Sequence, residues 1–144
     1  MIKKFLLVVF IIFLSCESKI SDNEINNFCY EFVYAIHSKD SEKLNSIINK
    51  DKLVNNTNDK LKDKNIIVDY DDIITGLFIG HNPLKYGQGY HQKLDGFNIE
   101  DLQIIILKNT THVQKINIKW NNIFNHEQES VIVTVENKKI TLIE

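Results

Sequence analysis

Between residues 21 and 48 the apolar positions recur at steps of three and four. In SDNEINNFCYEFVYAIHSKD, Ser21 and Glu24 stand in capping-box spacing, and Ile25, Phe28, Cys29, Phe32, Val33 and Ile36 follow on one face. That pattern predicts an amphipathic helix with Cys29 on its apolar side. After a polar break at residues 38–40, Leu44, Ile47 and Ile48 continue the spacing in a shorter helix, which Asp40 is placed to cap. Residues 55–65, NNTNDKLKDKN, hold one apolar residue and no period, which predicts a solvated connector. The next stretch, IIVDYDDIITGLFIG, fits either strand or helix. Asp69 and Asp72, then Ile73, Ile74, Leu77 and Phe78, favour a short helix, and Gly76 counts against it.

From about residue 102 the period changes to two. Ile116, Ile118 and Trp120 alternate with polar neighbours, Val131, Val133 and Val135 form a second alternating run, and ENKK separates that run from ITLI as a tight turn does. With residues 102–107 this gives about four strands joined by short links, an antiparallel meander. Helices first and an antiparallel sheet second predict an α+β fold, with N-terminal helices packed on one face of a curved sheet.

Ahead of the first helix, ten apolar residues at 5–14 follow Lys3 and Lys4. As a helix they span only about 15 Å, half a bilayer core, so a signal peptide is the better reading than a membrane span. The stretch Phe13-Leu14-Ser15-Cys16 resembles the lipobox of bacterial lipoproteins, with Phe13 where leucine is commonest. The resemblance implies cleavage after Ser15, a thioether-linked diacylglycerol on Cys16, and a further fatty-acyl chain, palmitate-like, on its new amino group. Two or more chains hold a protein on a membrane where one alone is marginal. The expected organisation is a signal peptide at 1–15, a lipidated cysteine and short tether at 16–20, and a single domain at 21–144. The protein would then sit in the cell envelope, anchored by lipid to the periplasmic or extracellular face of a bacterial membrane.

Charge narrows the range of partners. Cleavage would remove two of the 17 lysines, leaving 15 against 19 acidic residues and a formal charge of −4. The chain has no arginine, whose planar fork is the usual group for phosphate and guanine, so nucleic acid is excluded as an expected partner. With Cys16 acylated, Cys29 has no cysteine to pair with, and its place on the apolar face marks it as a small buried hydrophobe.

The run FVYAIHSKDSEKLNSII at 32–48 and the closing VIVTVENKKITLIE at 131–144 resemble the NTF2-like, or cystatin-like, family, whose domains open with two helices and close with a curved antiparallel sheet. The resemblance implies a pocket between sheet and helices. It carries over no functional residue, because the family hosts enzymes, binders and assembly modules alike.

All five glycines and the sole proline lie between Gly76 and Gly96. Within that segment Tyr86, Tyr90 and His91 are candidate ligand-binding residues at a pocket mouth, with Trp120 as a pocket wall. The competing reading is a connector pinned by its tyrosines, with Trp120 in the core. His81, His91 and Asp95 lack a recognised metal-ligand spacing, and Asp69, Asp71 and Asp72 lack the glycine and distal glutamate of a calcium loop. No nucleophile, zinc-protease or phosphate-loop motif is present, so no metal, cofactor or catalytic residue is expected. The leading expectation is a protein-interaction module of the inhibitor, immunity or envelope-assembly type, acting through the sheet's outer face or an edge strand. A small-ligand or peptide-binding pocket protein comes second, and an NTF2-like hydrolase or isomerase using His91 with an aspartate comes third.

Overall fold

The structure is a computed structural model that describes residues 19–79, 98–124 and 126–144. Its first helix, α1, spans Asp22–His37 and begins at the capping box expected of Ser21 and Glu24. The Glu24 amide donates to Ser21 Oγ at 3.3 Å, and the Ser21 amide donates to Glu24 Oε2 at 3.0 Å, so two of the helix's orphan donors are satisfied. The Ser21 amide and the Ser21 hydroxyl, the latter at 3.0 Å, both donate to Glu24 Oε2 and, with Lys138 nearby, hold the Glu24 carboxyl below its ordinary range. The apolar stripe is buried as the spacing predicts, and Cys29 is 0 % exposed. After the break, α2 spans Ser41–Ile47, and the Lys43 amide donates to the Asp40 carboxylate at 2.9 Å.

The expected connector is mostly a helix. α3 runs over Lys50–Leu61, ends in a 3₁₀ turn at Lys62–Lys64, and stops at Asn65, whose φ of 54° lies in the left-handed region. Leu53, Thr57 and Leu61 fall one turn apart and are buried, so the apolar stripe is a single row with a threonine in it. A row that thin is invisible to a period count. What fixes the helix is tertiary. Asn49 caps it by accepting from the Lys52 amide at 3.2 Å, Asn56 Nδ2 donates to the Thr141 carbonyl at 2.8 Å, and the Asn58 amide group exchanges hydrogen bonds with the Val68 backbone at 2.9 and 2.8 Å.

Helix α4, Tyr70–Ile79, confirms the helical reading of the ambiguous stretch. Its aspartates cap it. The Asp72 amide donates to Asp69 Oδ1 at 2.8 Å, and the Asp69 amide donates to Asp72 Oδ2 at 2.9 Å.

The sheet is the predicted meander. Strands β1 (Gln103–Asn109), β2 (Val113–Asn121), β3 (Gln128–Glu136) and β4 (Lys139–Ile143) pair antiparallel in the order β1-β2-β3-β4. Asn137 and Lys138, with φ of 50° and 60°, make the two-residue turn between β3 and β4 that both-positive φ values require. Ile116, Ile118, Trp120, Val131, Val133, Val135, Ile140 and Ile143 share the inner face and meet the buried stripes of the helices in one core. Each such side chain contributes about 1.5–3 kcal/mol on leaving water, which is the main force holding helices to sheet.

Candidate interaction surface

Most of the residues singled out from the sequence as candidate sites, Cys16, Tyr86, Tyr90 and His91, lie outside the described residues. Trp120 is described, and its indole is 2 % exposed between Ile116 and Ile118 on the inner face of β2. It fills the core there. Among the described residues, no group of three or more His, Cys, Asp or Glu is placed to hold a metal ion, and no helix is long and apolar enough to cross a membrane.

Among the described residues, two hollows bear on ligand binding. Ile20, Ile25, Phe28, Ile116 and Val135 line a cavity of about 70 Å³ under the start of α1, with the Glu24–Lys138 ion pair, 3.6 Å apart, on its rim. Gln114 adds a polar wall, anchored by a 2.6 Å hydrogen bond from Nε2 to the Thr110 carbonyl. Pockets for small molecules begin near 300 Å³, so this cavity is too small for that use. A wider hollow of about 500 Å³ beside the end of α3 is lined by Asn58, Lys62, Asn65, Ile66 and Ile67. Ile67 there is 86 % exposed, and the Asn58 side chain is committed to Val68, so the hollow is a surface depression.

The two edges of the sheet differ more sharply. At β4 the edge is closed. Ile48 forms a parallel bridge to Ile140, the Asn49 amide donates to the Ile140 carbonyl at 2.9 Å, and α3 lies along the strand. Glu144, which exchanges backbone hydrogen bonds with Ile132, reaches both Lys60 and Lys115, the latter at 2.9 Å. Burial alone would raise the Glu144 carboxyl, but hydrogen bonds from the two lysines outweigh it and hold the group below its ordinary range.

At β1 no described strand pairs with the outer side. This strand reads QIIILKN, with four consecutive apolar residues where a half-buried strand would alternate. Register places Ile104 and Ile106 opposite Ile118 and Ile116, on the inner face, while Ile105 lies opposite Asn117 on the outer face. Leu107 is the extra residue of a bulge between Ile106 and Lys108. Ile105 is 39 % exposed and Leu107 51 %. Charges bracket the run. Glu100 and Asp101 precede it in a turn held by Asn98, whose side chain donates to Asp101 at 2.8 Å and accepts from the Glu100 amide at 3.1 Å, and Lys108 follows it. Lys108 and Lys119 form no ion pair among the described residues.

An interacting edge strand is expected from the sequence, but β1 is not singled out, although the unbroken IIIL at 104–107 is its signature. No protein-family model, no curated protein and no solved structure matches the chain. Its function is therefore argued from its own surfaces.

Proposed function

We propose that the protein is a lipid-anchored envelope lipoprotein whose α+β domain, arranged in the NTF2-like manner, is a protein-interaction module that receives a partner's strand on β1. The observation that carries the reading is the asymmetry of the sheet. One edge is covered by chain and helix, whereas among the described residues no strand pairs with the other, where Ile105 and Leu107 are exposed. An open edge with apolar side chains is a template for strand addition, in which main-chain hydrogen bonds give affinity and alternate side chains give selectivity. Lipid on Cys16 would keep the domain at a membrane surface, where its partner is concentrated with it. The small size of the cavity under α1 counts against a pocket protein built on that cavity.

The test is a photoreactive residue placed at 105 or 107 in the full chain, in the cells that produce it, with Lys62 on the exposed side of the 3₁₀ turn as control. Discrete adducts at 105 and 107, absent at 62, are expected. No adduct at 105 or 107 above the control, with the protein present in the membrane fraction, would overturn the proposal.

A further inference from the structure

The place where the chain enters the fold sets how the domain stands on its anchor. Strand register puts Asn109, Val113, Glu136 and Lys139 at one end of the sheet, and Asn121 and Gln128 at the other. Ile20, which precedes the cap of α1, is fixed at the first of these ends. Asn109 Nδ2 donates to the Ile20 carbonyl at 3.2 Å, and Glu24 in the first turn of α1 lies 3.6 Å from Lys138 in the β3–β4 turn. Ile20 is four residues on from Cys16, so the link between them is at most about 14 Å long whatever its conformation. Resting on the reading that Cys16 carries lipid, we propose that this end of the sheet, formed by the β1–β2 and β3–β4 turns, is the membrane-facing surface and meets the anionic phosphate headgroups of the lipid layer.

Chain length and charge support this separately. β2 has nine residues, which sets Ile123 and Phe124, just beyond its far end, about 27 Å from the β1–β2 turn, roughly twice the reach of the tether. Charge decides against a domain lying on its side. The mature chain has 15 lysines against 19 acidic residues, so an anionic layer repels the domain as a whole. Beside the tether the balance is reversed. Lys19, Lys108 and Lys138 stand there with Asp22 and Glu24, and Glu136 at the same end is taken up by Lys52 at 2.5 Å. Lys19 and Lys108 are exposed, as is the Lys138 side chain at 71 %. Lysines held this near to anionic headgroups are attracted to them. Upright on this end, β1 runs outward from the membrane, and its outer side stays within reach of a partner on the same surface.

The test uses the purified acylated chain in vesicles of phosphatidylethanolamine and phosphatidylglycerol that carry a trace of headgroup-quencher lipid. A fluorophore is attached at Thr111→Cys in the β1–β2 turn or at Phe124→Cys at the far end, both exposed positions, while buried Cys29 stays unlabelled. Headgroup quenching should be strong at 111 and absent at 124. Adding Lys108→Glu and Lys138→Glu to the Thr111→Cys chain should cut its quenching severalfold without releasing it from the vesicles. Raised salt, or vesicles of phosphatidylcholine alone, should do the same to the chain that keeps both lysines.

Equal quenching at 111 and 124 would overturn the orientation and leave the lipid anchor in place. Quenching at 111 that neither salt nor the charge reversals change would overturn the headgroup contact. A chain that takes no acyl label and does not float with vesicles would remove the anchor and the orientation together.

Discussion

Cys29 shows how a single side chain can be read correctly from spacing alone. Helical period places it between Phe28 and Phe32, and its thiol is fully buried, with burial pushing its pKa up to about 12. Its reaction with a thiol reagent should therefore be slow in the folded protein and fast in denaturant, and equal rates would mean the wrong face of α1 is inward. Burial, with Asp71 adding to it, likewise raises the Tyr70 hydroxyl to about 12. Both groups hold their protons more tightly folded than unfolded, so their contribution is present at neutral pH and is lost as pH rises from about 9 to about 12. Thermal unfolding followed across that window should show a falling midpoint, and a flat profile would contradict the burial of both groups. The proposal for Cys16 rests on a different kind of signal, a processing motif in place of packing. Cys16→Ser should abolish acyl labelling and leave the protein uncleaved or in the soluble fraction, whereas labelling equal to wild type would refute the lipid anchor. Asp69 and Asp72, which lack the partners of a calcium loop, spend oxygens capping α4.

Among the elements, those with a wide apolar face were legible and those held by distant partners were not. α1 announces itself through its cap and its buried stripe, and the strands through their alternation. α3 does not, because its sequence is rich in Asn, Asp and Lys and its stability comes from residues far along the chain, such as Thr141, Glu136 and Glu144. Asn49→Ala isolates the local part by deleting the cap while keeping the backbone bridge to Ile140. It should cost about 1 kcal/mol and lower the midpoint by about 4 °C, and no change would show that α3 needs no cap. Glu144 tests the distant part. Its carboxyl is held below the ordinary value, so the stability it supplies is present above about pH 4.5 and is lost as pH falls through its folded value. Glu144→Gln should flatten the acid limb of the stability profile, and an unchanged limb would show that the Lys60 and Lys115 contacts contribute nothing.

At the scale of the whole molecule, the sequence led to an α+β domain with a meander and to a list of candidate binding residues, but not to the sheet's unequal edges. Edge character depends on which segments come to lie beside which strand. The bridge from Ile48 to Ile140 spans more than 90 residues of chain, beyond the reach of local periodicity. The same is true of the open side, where only the run at 104–107 hints that β1 departs from a half-buried strand. The account stands on that edge gaining a partner at the membrane, and amide hydrogen exchange measures this directly. In the full chain in its own membrane, the β1 amides of residues 103–107 that are not bonded to β2 should exchange at least about tenfold more slowly than in dilute detergent. Ile105→Lys with Leu107→Lys should abolish that slowing and leave β3 unchanged. Equally fast exchange of these amides in membrane and in dilute detergent would contradict the account.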